Sequence, residues 1–184
     1  STRIPFCRPC THRCRHPCWI WAPVQACRER SVDKHYLAVV GGSVSGDADR
    51  LIDHIERRDR LSRVVPTPTD GSQEARLGYT VLGRDSGKSL LKVSLETGRR
   101  HQIRIQLAHM GHPILGDLRY GAETPLPERQ IALLAHHLMV EHPTRGDRLL
   151  FSSPIPQQWP WPDIGLSGGQ GPPWDWRAFD PIIR

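Results

Sequence analysis

LLKVSLETGRRHQIRIQLAHMGHPILGDLRYG, residues 90 to 121, sets an apolar strand, a polar turn and an arginine-bearing helix in immediate succession. Leu90, Leu91, Val93 and Leu95 form the strand-like run. Thr97 is placed to cap a helix, and Gly98 frees the backbone where the chain must reverse. The spacing predicts a helix over 99–110, ended by Gly111 and His112-Pro113. Ile103, Leu107 and Met110 recur at helical spacing and would bury one face, whereas Arg100 and Arg104 stand one turn apart on another. Two cations near a helix N-terminus, where free backbone N–H groups also point, suit a phosphate or a buried carboxylate. From spacing alone, an ordinary solvated basic stripe is the plainer reading of the same residues.

Working outward, Asp85-Ser86-Gly87-Lys88 reads as a tight hairpin that joins a strand around Tyr79-Thr80-Val81-Leu82 to the first run, so an antiparallel pair feeds the helix. Lys34 to Val40 alternates as a half-buried strand does, with Tyr36, Ala38 and Val40 on one face and His35, Leu37 and Val39 on the other. Ala48 to Ser62 is charged, with Leu51, Ile52 and Ile55 as its apolar contacts, and a short helix or an ordered loop is expected there. Pro66, Pro68 and Asp70-Gly71 punctuate the chain before the next strand. Strands followed by one or two helices, without a regular βαβ alternation, predict an α+β fold with a mixed, largely antiparallel sheet and flanking helices. The length of 184 residues suits one domain, and a hydrophobic content of 38% is enough for one core.

The run around the helix resembles the TGRTHQIR…LAHLGHPIxGDxxYG signature of the RluA-type pseudouridine synthases. Here it reads Thr97-Gly98-Arg99-Arg100-His101-Gln102-Ile103-Arg104, then Leu107 to Ile114, then Gly116-Asp117 and Tyr120-Gly121, with Arg100 in place of the more usual Thr. Lys34 to Gly41 is similar to that family's K-x-Y-x-A-x-V-x-G strand, and Ser72 to Leu82 to the segment leading into its next strand. Leu134-Ala135-His136-His137, His142-Pro143 and Phe151 to Pro156 are similar to its C-terminal end. The resemblance covers residues 31 to 160, read as the C-terminal part of a catalytic domain that is N-terminally incomplete.

What the resemblance implies is isomerisation of uridine in RNA to pseudouridine, with structured rRNA or tRNA as partner. A carboxylate acts at C1′ of the sugar, and a cation holds it ionised. Arg104, by its place in the HQIR motif, is that cation, and Tyr36 is the residue that contacts the base. Arg99 and Arg100 are candidates for phosphate contacts. His101 and Gln102 are expected to shape the turn. No cofactor is implied, because the rearrangement is redox-neutral, and no metal site is assigned.

The family's nucleophilic Asp stands in an H-R-L-D-x-x-T-S-G motif upstream of the K-x-Y strand, and that motif is absent. Asp33 is the first aspartate in the chain, and no Thr-Ser-Gly turn follows it. The expectation is therefore a pseudouridine synthase by ancestry, inactive as written. A non-catalytic RNA-binding relative using the same cleft is the alternative.

The chain's ends differ from its middle. All five cysteines (Cys7, Cys10, Cys14, Cys18 and Cys27) lie in the first 27 residues, and residues 1–32 hold six arginines against one glutamate. Most of the formal net charge of +6 therefore sits in that segment, and the high pI is no measure of the rest. The cysteines with His12 and His16 offer zinc-ligand chemistry, a weaker reading for one irregular cluster without a second paired knuckle. A truncated or out-of-frame gene start, leaving residues 1–30 unassigned or disordered, is the expected explanation of the break. The odd cysteine count without a secretory signal argues against disulfides. Cys18 to Ala26, the longest apolar stretch there, falls far short of the ~20 residues needed to cross a bilayer, so a soluble, cytoplasmic protein is expected. Residues 161–184 form a Trp/Pro/Gly-rich tail, expected to dock by aromatic contacts or to stay mobile.

Overall fold

The computed structural model describes residues 32–58, 61–142, 145 and 147–161. The cysteine cluster with its zinc reading, and the tail from residue 162 on, lie outside the described residues. Seven strands, β1 (Val32–Gly41), β2 (Ala48–Arg58), β3 (Leu61–Val65), β4 (Ser72–Asp85), β5 (Lys88–Leu95), β6 (Leu133–Glu141) and β7 (Arg148–Ser152), form one sheet in the order β3-β2-β4-β5-β1-β6-β7. Every pairing among them is antiparallel. One helix, α1 (Gln102–His109), and single 3-10 turns at Leu118–Tyr120 and Pro127–Arg129 complete the α+β arrangement among the described residues. Among the described residues, no helix is long and apolar enough to cross a membrane.

The β4–β5 hairpin closes where the sequence places it. Asp85 pairs with Lys88, and Ser86 and Gly87 both take positive φ, at 40° and 78°. A two-residue turn of that hand matches the twist of the strands it joins. The charged stretch from Ala48 to Ser62 departs from expectation: its described residues, 48–58 and 61–62, form β2 and the start of β3. Its charges misled because an antiparallel sheet can keep one face in water. Leu51, Asp53 and Ile55 stand opposite Leu77, Ala75 and Gln73 of β4, while Ile52 on the other face is exposed.

Register defines what each face carries. Directly opposed residues share a face, so Asp49, Tyr79, Val93 and Tyr36 form one row running from β2 through β4 and β5 to β1. Helix α1 covers this face: Ile105 packs with Ile55 and Ala75, and the Gln106 amide donates to Asp53 Oδ2 at 2.7 Å. The main core, with Leu77, Leu91, Val93, Ile103 and Leu107, lies beneath the helix.

The opposite face carries His35, Leu37, Val39 and Leu90. Trp159 and Trp161 pack on the core, and the missing side chain of Gly83 makes room for Trp161, since a Cβ there would come within 2.9 Å of the indole. Lys88 Nζ donates to the Pro160 carbonyl at 3.0 Å and lies 5.6 Å from the Trp161 ring centre.

His35 opposes His137 across β1 and β6. Burial, reinforced by His136, His35 and Lys92, lowers His137 from 6.5 to about 4. Burial also lowers His136, against the opposing pull of its hydrogen bond to the Ser153 carbonyl. The unfolded chain therefore takes up protons that the folded one refuses. The resulting stability is complete above pH 6.5 and is lost as pH falls toward 4. Discounted for solvent access, His137 accounts for roughly 1–2 kcal/mol of that loss. Urea unfolding at stepped pH checks this: His137→Gln should flatten the decline, and an unchanged profile would assign the acid sensitivity elsewhere.

Candidate active site

The turn into α1 is built around a glutamine. Thr97 Oγ1 donates to Gln102 Oε1 at 2.8 Å, Arg99 N donates to the same oxygen at 3.0 Å, and Gln102 Nε2 donates to the Arg76 carbonyl at 3.0 Å. Thr97 Oγ1 in turn accepts from the Arg76 backbone N–H at 2.8 Å. The expected Thr97 cap is thus replaced. Thr97 ties the turn to β4, and the helix starts at Gln102 with His101 as its N-cap residue in the left-handed region at φ 56°. A non-glycine residue holds such a conformation only when its surroundings impose it. Here the Gln102 bonds fix one side, and the 2.9 Å hydrogen bond between His101 Nδ1 and the Tyr120 hydroxyl holds the other.

Arg104, one turn further on, makes a two-pronged ion pair with Asp117, Nε to Oδ2 at 2.6 Å and Nη2 to Oδ1 at 2.7 Å. Paired planar groups of this kind combine charge with fixed geometry. The Asp117 side chain is 1% exposed and that of Arg104 18%, so the guanidinium forms the outer member. Its carbon lies 4.8 Å from the Tyr120 ring centre. The hydrogen bond and charge of Asp117 raise the Arg104 pKa further, and burial opposes them.

Asp117 is delivered by the segment after the helix, which pairs with the end of β1. Gly41 N donates to the Pro113 carbonyl and Leu115 N to the Val39 carbonyl, both at 2.9 Å, and Val40 bridges Ile114. Gly116 then turns at φ 82°, where a Cβ would meet the Gln130 carbonyl oxygen. Only glycine fits that turn, and Asp117 follows it directly.

The residues singled out from sequence are placed as follows. Tyr36 lies on the face that α1 covers, and burial raises its pKa. Arg104 lies above the same face, but its hydrogen bonds and ring contact go to Asp117 and Tyr120 rather than to Tyr36. Arg99 is half-buried with Nε donating to the Glu74 carbonyl at 3.0 Å, while Arg100 is exposed. Asp117 and Tyr120 were missed as site residues. The signal was present in Gly116-Asp117 and Tyr120-Gly121, a glycine-flanked acid and ring three residues apart.

Residues 22–109 match the model of the RNA pseudouridylate synthase family. The chain is 38% identical over 138 residues to a ribosomal large subunit pseudouridine synthase D of Nitrosomonas europaea. The chain belongs to the RNA pseudouridylate synthase family. A second relative, an uncharacterized RNA pseudouridine synthase of Bacillus subtilis, is 36% identical over 128 residues. Each alignment covers 70% of this chain but only 39% and 42% of the respective relative. The chain therefore spans less than half the length of these curated relatives. The fold is shared with human RNA pseudouridylate synthase domain containing 1, at a TM-score of 0.64 and 22% identity, over 77% of this chain and 62% of that one. As a family member, the chain keeps its TGRxHQIR turn, with Gln102 as the knot and Arg104 presented beside it.

Proposed function

We propose that the described residues form the arginine- and tyrosine-bearing part of an RNA pseudouridine synthase site, and that the chain of 184 residues engages RNA there without converting uridine. Ribosomal RNA is the substrate class, following the names of the relatives. The observation that carries the reading is Arg104, held rigidly by Asp117 above the sheet face that bears Tyr36. A guanidinium fixed in this way can keep a neighbouring carboxylate ionised and hold it in plane. Tyr36 contacts the uracil ring, which must leave its stack to reach the site.

The missing element is the carboxylate. Asp117 has both oxygens engaged by Arg104 and is almost fully buried, so it serves the arginine rather than the sugar. Asp33 stands two residues before His35 on β1 and so shares the face turned away from Tyr36. Neither supplies a nucleophile. Incubation of the purified chain with ribosomal RNA, followed by carbodiimide adduct formation and primer extension, should show no pseudouridine above background. Turnover would overturn the inactivity and direct the search for a substitute to Asp49 and Asp53, the β2 carboxylates on the Tyr36 face.

A further inference from the structure

The two edges of the sheet differ in what they offer to another chain. Among the described residues, β3 and β7 are its outer strands. We propose that β7 pairs antiparallel with β7 of a second copy of this chain, about a two-fold axis at Leu150, so that two sheets join into one. Pairing of this kind is independent of the RNA-binding reading above.

The backbone of β7 limits the register. Ser153 N donates to the His136 carbonyl at 2.8 Å, and His142 N donates to the Asp147 carbonyl at 2.7 Å. Both bonds fit the register in which Ser152 opposes His137 and Arg148 opposes Glu141. Bonding alternates along an antiparallel ladder, so residues 147, 149, 151 and 153 turn their N–H and C=O groups to β6. The backbone groups of Arg148, Leu150 and Ser152 therefore point outward, and no proline interrupts the strand. A second strand can bond here only if its own outward residues stand opposite these. Of the two-fold registers that meet this condition, the one centred on Leu150 uses the whole of β7: Leu150 faces its own copy, and Arg148 faces Ser152.

The side chains fit that register as well. Directly opposed residues share a face. On the face of Lys34 and Tyr36, Leu138 opposes Phe151 and Val140 opposes Leu149 within one copy. Across the axis Leu149 would meet Phe151 of the second copy, and the four apolar residues would continue into the same four. Leu138, Leu150 and Phe151 are 37%, 41% and 55% exposed, which leaves an apolar patch beside an open strand edge. On the opposite face Leu150 would meet Leu150, and Arg148 would meet Ser152, so no like charges stand opposed. Strand β3 lacks this fit, because pairing about its midpoint would set Arg63 against Arg63. Any extended apolar peptide could use an open edge; the self-complementary order of β7 singles out a second copy.

Sedimentation equilibrium of the full chain, freed of nucleic acid by nuclease and measured over a concentration series, reads the association. An edge this short makes a small interface, so a dissociation constant of about 1–100 µM is expected. Phe151→Lys should raise it by about tenfold or more, because each change enters a two-fold interface twice. Ile52→Lys, at a side chain 52% exposed on β2, should leave it unaltered. Leu150→Pro removes an outward N–H that β6 does not use and should abolish the dimer, whereas Leu150→Ala keeps that N–H and should weaken it far less. Urea unfolding verifies each variant. Should Leu150→Pro fail to fold, the comparison of Phe151→Lys with Ile52→Lys decides alone.

A chain that stays monomeric well above that range would overturn the proposal and leave the edge to a partner of another kind. Equal losses in Phe151→Lys and Ile52→Lys would also overturn it, since apolar clustering without a register would then explain the association. So would equal losses in Leu150→Pro and Leu150→Ala, which would mean that side chains meet without strand pairing. A dimer seen only before nuclease treatment would make RNA the bridge and overturn it too.

Discussion

Arg104→Ala is expected to destabilise the fold by about 3–5 kcal/mol, the cost of stripping one partner from a buried ion pair. The two halves of the pair should not respond equally. Asp117, 1% exposed, has no route to water when its counter-charge is removed, whereas Arg104, 18% exposed, can turn its free edge outward. Asp117→Asn keeps the shape and one acceptor and should therefore cost less than Arg104→Ala. Arg104→Lys should fall between the two, because an ammonium retains the charge but not the two-pronged geometry. Urea unfolding of the three variants gives the ranking. A loss below about 1 kcal/mol for Arg104→Ala would place the pair in the class of surface bridges. The inner carboxylate would then be far better hydrated than its geometry indicates.

How much of this was legible beforehand depends on the range over which each residue acts. Strand β1 was readable as a strand from Lys34 to Val40 because alternation is local, although Leu37 to Val40 are buried on both faces rather than on one, and the β4–β5 hairpin was readable because Ser86-Gly87 specifies its own turn. The charged stretch behind β2 was not. Its apolar residues at 51, 52 and 55 fit a helix as well as a strand, and only pairing with β4 on one side and β3 on the other decides between them. Thr97 misled for a related reason. Its hydroxyl has the chemistry of a cap, but Gln102 offers its side-chain oxygen to the Thr97 hydroxyl and the Arg99 N–H together, and the helix begins later than the first polar residue implies.

The site divides along the same line. Arg104 and Tyr36 could be nominated by resemblance, since each sits inside a recognisable run. The partner of Arg104 could not, because Asp117 reaches it through a loop whose course is set by hydrogen bonds to Val39 and Gly41 of β1. The motif carried the acid and the arginine 13 residues apart without showing that they meet.

Gly116→Ala should be nearly as damaging as the loss of Arg104, and for a reason that a second glycine can isolate. At φ 82° an alanine is strained by about 1–2 kcal/mol from its own Cβ. That Cβ would also meet the Gln130 carbonyl and come within 2.9 Å of Leu126 Cγ, adding about 1–3 kcal/mol of overpacking in a segment already bonded to β1. Gly121 has φ 99° but open space around it, so Gly121→Ala should show the conformational cost alone. The difference between the two urea midpoints measures the steric part. If they coincide, the Gln130 segment gives way freely and Gly116 matters only for its backbone angle. If Gly116→Ala costs clearly more, the displaced turn should also carry Asp117 out of reach of Arg104. Combining it with Arg104→Ala would then destabilise by less than the sum of the two, with a coupling of roughly 0.5–3 kcal/mol, because the ion pair cannot be broken twice. Full additivity would mean that the carboxylate stays on Arg104 however the turn is deformed, and that the arginine rather than the glycine turn sets the geometry of the pair.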